Sequence, residues 1–276
     1  MQAKLLKERE ESICYNSKNK GKKMKCDGNS VSGSVSQRAC VYAGARVVLN
    51  PITDAFHLVH GPIGCAAYTW DIRGSLSSDS QNYRNSYSTD IREKDVIFGG
   101  EKKLAAAIDE IVANHSPKVI FVYSTCIVGV IGDDIEAVCR AAESRHNIRV
   151  IPVKAPGFSG NKAVGYRVAC NAILSLMGEK KSETIEGINI LGDFNLAGEM
   201  WILKNYFRKI GINVVARITG DSTCEEIKKA PTANLNIVQC AGSMHYLANE
   251  MKEKFAIPYM KVSFLGLEDI KASLTN

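Results

Sequence analysis

The chain has 276 residues, 45% of them hydrophobic and 23% charged, with 22 Gly and 7 Pro, a composition that excludes collagen, coiled coil and wholesale disorder. Its length suits two domains, and its longest apolar runs, such as Val-Ile-Phe-Val-Tyr at 119–123, fall far short of the roughly 18 residues that cross a bilayer. The formal charge is +6, but residues 1–37 hold eight Lys/Arg against four Asp/Glu, so the folded remainder is nearly neutral and offers no basic face for nucleic acid. The amino terminus, Lys-Leu-Leu-Lys-Glu-Arg-Glu, is no signal-peptide core, and the expectation is a soluble cytoplasmic protein without membrane or nucleic-acid partners.

Residues 1–37, rich in Lys, Ser, Asn and Gly, read as a mobile polar tail. From Glu101 onward, helix-period stretches alternate with short β-branched runs, the pattern of an α/β fold. The pattern predicts a helix over Lys102–Asn114, a buried strand over Lys118–Tyr123 and a helix over Asp133–Ser144 capped by Asp133. A strand over Arg149–Val153 and a helix over Val164–Met177 follow. The polar run starting at Gly178 marks a boundary, which gives a first α/β domain over 38–180 and a second over 181–276. In the second, strands are predicted at Ile188–Leu191, Asn213–Arg217, Leu235–Gln239 and Tyr259–Val262, with helices at Leu196–Lys209, Cys224–Lys229 and Met244–Phe255. Each half is therefore a parallel, Rossmann-like sheet unit whose ligands gather at the carboxyl ends of its strands.

Nine cysteines in a chain expected to stay in the reducing cytosol do not make a disulfide framework, so burial or metal ligation must account for them. Cys139 and Cys170 sit inside amphipathic helices and read as core residues. Cys126 and Cys240 each follow a strand directly, and Cys65 ends the Gly-rich turn His60-Gly-Pro-Ile-Gly-Cys; with Cys40 they occupy loop settings where thiolates could face a ligand. The separations of 25 residues between Cys40 and Cys65 and 61 between Cys65 and Cys126 match no compact ferredoxin or zinc string. His57 and His60 are spaced as i, i+3 ligands, but no carboxylate follows at zinc-site spacing, and a helical turn packed against the cysteine loop is the favoured reading.

Five segments, Arg38-Ala-Cys-Val-Tyr-Ala-Gly, His60-Gly-Pro-Ile-Gly-Cys, Trp70-Asp-Ile-Arg-Gly-Ser-Leu-Ser-Ser, Glu93-Lys-Asp-Val-Ile-Phe-Gly-Gly-Glu-Lys-Lys-Leu and Ile131-Gly-Asp-Asp-Ile-Glu, resemble the nitrogenase component 1 superfamily from about Arg38 to the carboxyl terminus. The resemblance implies consecutive domains of that family's type, with its third domain absent from this sequence. It implies that Cys40, Cys65 and Cys126 bind a [4Fe-4S] cluster at the interface with a homologous subunit that supplies the fourth thiolate. It also implies that Cys240 ligates the iron-molybdenum cofactor or its iron-sulfur precursor, with Arg73, Lys162 and Tyr166 at the same site. Within the family, the Trp70 run resembles the cofactor-assembly branch, whose partner is NifN and whose transient partner is the nitrogenase iron protein; molybdenum and homocitrate complete the precursor there. Tyr166 stands where the catalytic subunit carries a cofactor-facing histidine, which favours a scaffold. The competing readings are a nitrogenase-like reductase subunit and a metal-free α/β binding domain with structural cysteines.

Overall fold

The computed structural model describes residues 40–69, 85–179, 184–195, 198–264 and 266–275. The predicted tail, Trp70 and Arg73 lie outside the described residues. The described residues open with helix α1 (Val41–Leu49), strand β1 (Ala55–His60) and the short helix α2 (Ile63–Tyr68). Strand β2 (Ser86–Ser88), helix α3 (Glu93–Phe98), helix α4 (Glu101–His115) and strand β3 (Val119–Ser124) follow. The first half ends with α5 (Cys126–Ile131), α6 (Ile135–His146), β4 (Arg149–Val153) and the long helix α7 (Lys162–Met177). The second half runs β5 (Ile185–Asp193), α8 (Glu199–Lys209), β6 (Val214–Thr219), α9 (Cys224–Lys229), β7 (Ala233–Val238), α10 (Ala241–Phe255), β8 (Tyr259–Lys261) and α11 (Leu267–Thr275).

Both sheets have four strands, all parallel, and the same order: β2-β1-β3-β4 and β6-β5-β7-β8. Parallel strands need crossovers and become covered on both faces, which explains why β3 reads Val-Ile-Phe-Val-Tyr-Ser with no polar alternation. Its odd-numbered residues Val119, Phe121 and Tyr123 join one cluster, and Ile120 and Val122 join another with Leu104, Ile108 and Ile111 of α4. The second sheet divides the same way, Leu191 and Val238 toward the first of these clusters and Ile190 and Ile237 toward Met200 and Phe207 of α8. The largest cluster is continuous between the two sheets, with α1 and α7 in it. Those two helices cross at glycines: a Cβ on Gly44 would stand 2.2 Å from the Lys162 carbonyl oxygen, and one on Gly165 would stand 2.1 Å from that of Val41. No side chain fits there, so the backbones meet directly.

Three expectations are corrected. His57 and His60 lie on β1 instead of a helical turn, because the Ala-Phe-His-Leu-Val-His run finds strand partners on both sides. Within the core, His57 Nδ1 lies 2.8 Å from the Tyr123 hydroxyl, while the His60 imidazole bridges Thr89 and Asp133 at 3.1 and 3.0 Å. Helix α6 is capped by Asp134, whose carboxylate accepts from Ala137 N–H; Asp133 instead accepts from the Gly100 amide at the start of α4. The third correction concerns the cysteines expected in loops. Cys40 and Cys240 are the N-caps of α1 and α10, and Cys65 and Cys126 lie in the first turns of α2 and α5.

Candidate functional site

In an open parallel sheet the loops leave in opposite directions where the strand order reverses, and that opens a crevice at the carboxyl ends of the strands. Here the reversals fall between β1 and β3 and between β5 and β7. The first crevice is bounded by His60-Gly61 and by Ser124-Thr125-Cys126. It is drawn tight, since a Cβ on Gly61 would lie 2.2 Å from Thr125 Oγ1, and that hydroxyl donates to the His60 carbonyl at 3.1 Å. Cys65 follows from the first strand and Cys126 from the second. Cys40 arrives from α1, and its backbone makes an antiparallel bridge to Asn161, the N-cap of α7.

Two of these cysteines, Cys40 and Cys126, meet at Gly157. A Cβ there would lie 2.9 Å from Cys126 Sγ, 3.1 Å from Cys40 Cβ and 3.6 Å from Cys40 Sγ, so the bare glycine backbone forms a floor beneath the two sulfurs. Cys65 completes the group electrostatically: burial pushes its thiol upward, and the Cys126 and Cys40 sulfurs add to that rise. All seven cysteines among the described residues are free. Cys40 Sγ accepts from the Ala43 amide at 3.4 Å, as the N-cap of α1. Among the described residues no three His, Cys, Asp or Glu side chains converge on a single ion. A multi-iron cluster asks for something different, because each thiolate binds a separate iron and the ligands stand apart around it. Free sulfur ligands from three elements around a floor without side chains fit that requirement.

Cys240 is in the second crevice, after β7. Strand β5 approaches it so closely that a Cβ on Gly192, itself at φ +90°, would lie 2.8 Å from Cys240 Cβ. Tyr166 on α7 is within electrostatic reach of it: burial raises its phenol, and the Cys240 sulfur contributes to the rise. Lys162 stands one turn earlier on α7, its Nζ 6.0 Å from the Tyr166 ring centroid. Asp193, 2% exposed, ends β5 beside this crevice. Burial pushes its carboxyl up to about 6, with the Glu199 carboxylate adding to the rise, while its Oδ1 accepts from the Asn195 amide at 2.8 Å. The two crevices share one scaffold, because α7 begins beside Cys40 and carries Tyr166 to Cys240.

The remaining cysteines among the described residues are core residues. Cys139 and Cys170 are buried, with thiols pushed up to about 12 by desolvation, and the buried Cys224 thiol is raised chiefly by desolvation, with the neighbouring Asp54 adding to the rise. Sequence reasoning missed Gly157, Asp193 and the buried Arg46-Tyr42-Thr69 group behind Cys65. Arg46 alone left a signal, as the single charge in the apolar helix Val-Tyr-Ala-Gly-Ala-Arg-Val-Val-Leu.

The chain is 70% identical over 276 residues to the "Nitrogenase iron-molybdenum cofactor biosynthesis protein NifE" of Clostridium pasteurianum, matching 98% of this chain and 60% of that protein. It is 42% identical over 252 residues to the "Nitrogenase molybdenum-iron protein alpha chain" of Methanosarcina barkeri, matching 88% of this chain and 47% of that one. The solved structure "Nitrogenase Cp1 at pH 5" superposes with a TM-score of 0.82 at 38% identity, over 89% of this chain and 52% of its own. The chain thus spans between about half and 60% of the length of these relatives. The family described as nitrogenase component 1 type oxidoreductase matches residues 40–276, and this chain belongs to it.

Proposed function

We propose that this chain is part of a scaffold on which the nitrogenase iron-molybdenum cofactor is built. Cys40, Cys65 and Cys126 hold three corners of a [4Fe-4S] cluster at the interface with a homologous NifN-type subunit. Cys240 holds the iron-sulfur precursor, with Lys162 and Tyr166 around it. The cluster supplies stored electrons when bound; the precursor is cargo, to be completed with molybdenum and homocitrate. The observation that carries the cluster assignment is the meeting of the Cys40 and Cys126 sulfurs over Gly157, with Cys65 electrostatically coupled to both. The assembly role is supported by the 70% identity to a cofactor biosynthesis protein, against 42% to a molybdenum-iron protein alpha chain.

The three cysteines have separate supports, and three is one fewer than a cubane requires, which leaves one corner for a partner. Exposed apolar side chains stand beside them: Ile63 and Tyr68 on the helix of Cys65, and Val130 on the helix of Cys126. Apolar side chains left in water around a ligand set suit burial by a second subunit. The iron protein is the expected electron-donating partner in this scheme.

Anaerobic co-purification with the NifN-type subunit, followed by iron and acid-labile sulfide analysis, tests the proposal. The expected result is a brown complex whose iron falls when the subunits are separated. A colourless complex, or an iron-free chain that binds its partner equally well, contradicts it. Reduction of acetylene or protons at nitrogenase rates with the iron protein would favour the reductase reading instead.

A further inference from the structure

Arg46 is the bulkiest of the fully buried side chains among the described residues, only 1% exposed. Its Nε donates to Thr69 Oγ1 at 3.3 Å, its Nη2 donates to Ser86 Oγ at 3.0 Å, and its guanidinium lies 5.2 Å from the Tyr123 ring centroid. Its Nη1 is buried without a hydrogen-bond partner. No carboxylate pairs with it among the described residues; its hydrogen-bond partners are the uncharged hydroxyls of Thr69 and Ser86, and the ring beside it is the phenol of Tyr123. A guanidinium that has lost its water and meets only neutral groups is costly unless a negative charge stands within reach.

The network around Arg46 leads to the cysteines. Thr69 Oγ1 and the Tyr42 hydroxyl lie 2.8 Å apart, and both reach the Cys65 carbonyl oxygen, at 3.2 and 3.1 Å. Arg46 also shares α1 with Cys40, six residues earlier, a separation of about 9 Å along the helix axis. Thiolates and sulfides around iron concentrate negative charge, and the charge grows by one on reduction. The interior between them is the kind of medium in which a fixed charge acts over such a distance.

We propose that Arg46 is the buried counter-charge of the cluster at Cys40, Cys65 and Cys126, favouring its reduced state and fixing Cys65 through Thr69 and Tyr42. The inference rests on the cluster assignment above. It makes Arg46 a positioning and tuning residue, not a ligand.

The test is a potentiometric titration, followed by electron paramagnetic resonance, of the complex carrying wild-type chain, Arg46→Gln or Arg46→Lys. All three should hold the same iron and sulfide. At a fixed potential the ratio of reduced to oxidised cluster should fall about tenfold in Arg46→Gln, equal to 59 mV for one electron, and stay within threefold of wild type in Arg46→Lys. An unchanged ratio in Arg46→Gln overturns the inference and leaves the cluster assignment intact, as does an equal fall in Arg46→Lys. If Arg46→Gln does not fold, Ser86→Asp decides, because an acid at that position neutralises the guanidinium in place. The ratio must then fall as it would in Arg46→Gln, and a wild-type ratio overturns the inference. Absence of iron from the wild-type complex overturns the cluster assignment and this inference together.

Discussion

Gly157 decides whether the Cys40 and Cys126 sulfurs can stand over one floor. A methyl group there would need room that Cys126 Sγ occupies at 2.9 Å, so Gly157→Ala should push that sulfur aside and lower cluster occupancy several-fold. Melting should change little, because the displaced sulfur belongs to an exposed residue. Iron analysis and thermal unfolding on one preparation check this, and full iron in the variant contradicts it. Asp193 makes a separate prediction about pH. Its folded-state carboxyl titrates near 6, above the unfolded value, so the native state holds the proton more tightly. Its contribution to stability is complete below about pH 4 and is lost as pH rises toward 6, a decline of about 2–3 kcal/mol at most. Asp193→Asn keeps an oxygen for the Asn195 amide and should flatten this decline in denaturant titrations of metal-free chain. An unaltered slope would show that another group carries it.

At the scale of elements, helices α1 and α7 join the two crevices. Their crossing at Gly44 and Gly165 leaves no space for a side chain, and either Gly→Ala change should cost about 3 kcal/mol or more, since backbone rather than a flexible side chain must yield. Separating these helices also moves Cys40 and Tyr166, so Gly165→Ala should lose interface iron and precursor together, unlike any single cysteine variant. The four strands and helices α8 to α10 of the second half were legible in the sequence because their apolar runs are short, regular and bounded by polar turns, whereas α11 was not. The first 60 folded residues were not. Strand β1 contains two histidines that look like ligands or helix residues until the pairing with β2 and β3 buries them. Helices α2 and α5 have six residues each, too short for a periodic signal, and they exist because a strand end and a crevice hold them.

Across the whole molecule, two sheets of the same strand order place a cysteine-bearing crevice at each reversal of strand direction. The position of Cys126 and Cys240 after strands was readable from the sequence. The meeting of Cys40 with Cys126 over Gly157 was not, because the three elements involved are 31 residues or more apart in the chain and nothing in their spacing encodes the contact. This arrangement makes the two sites separable. Cys240→Ala removes a sulfur from the N-cap of α10 that makes no capping hydrogen bond, so the fold and the first site should survive while precursor iron is lost. Cys65→Ala should do the reverse and weaken association with the partner subunit as well. The most direct measurement is therefore the iron and acid-labile sulfide content of wild type, Cys65→Ala and Cys240→Ala, each co-purified anaerobically with the NifN-type subunit. Cys65→Ala should lose about four irons per pair of chains, with Cys240→Ala keeping those and losing only the remainder; wild-type iron in Cys65→Ala, or loss of the same iron in both variants, would contradict the two-site assignment.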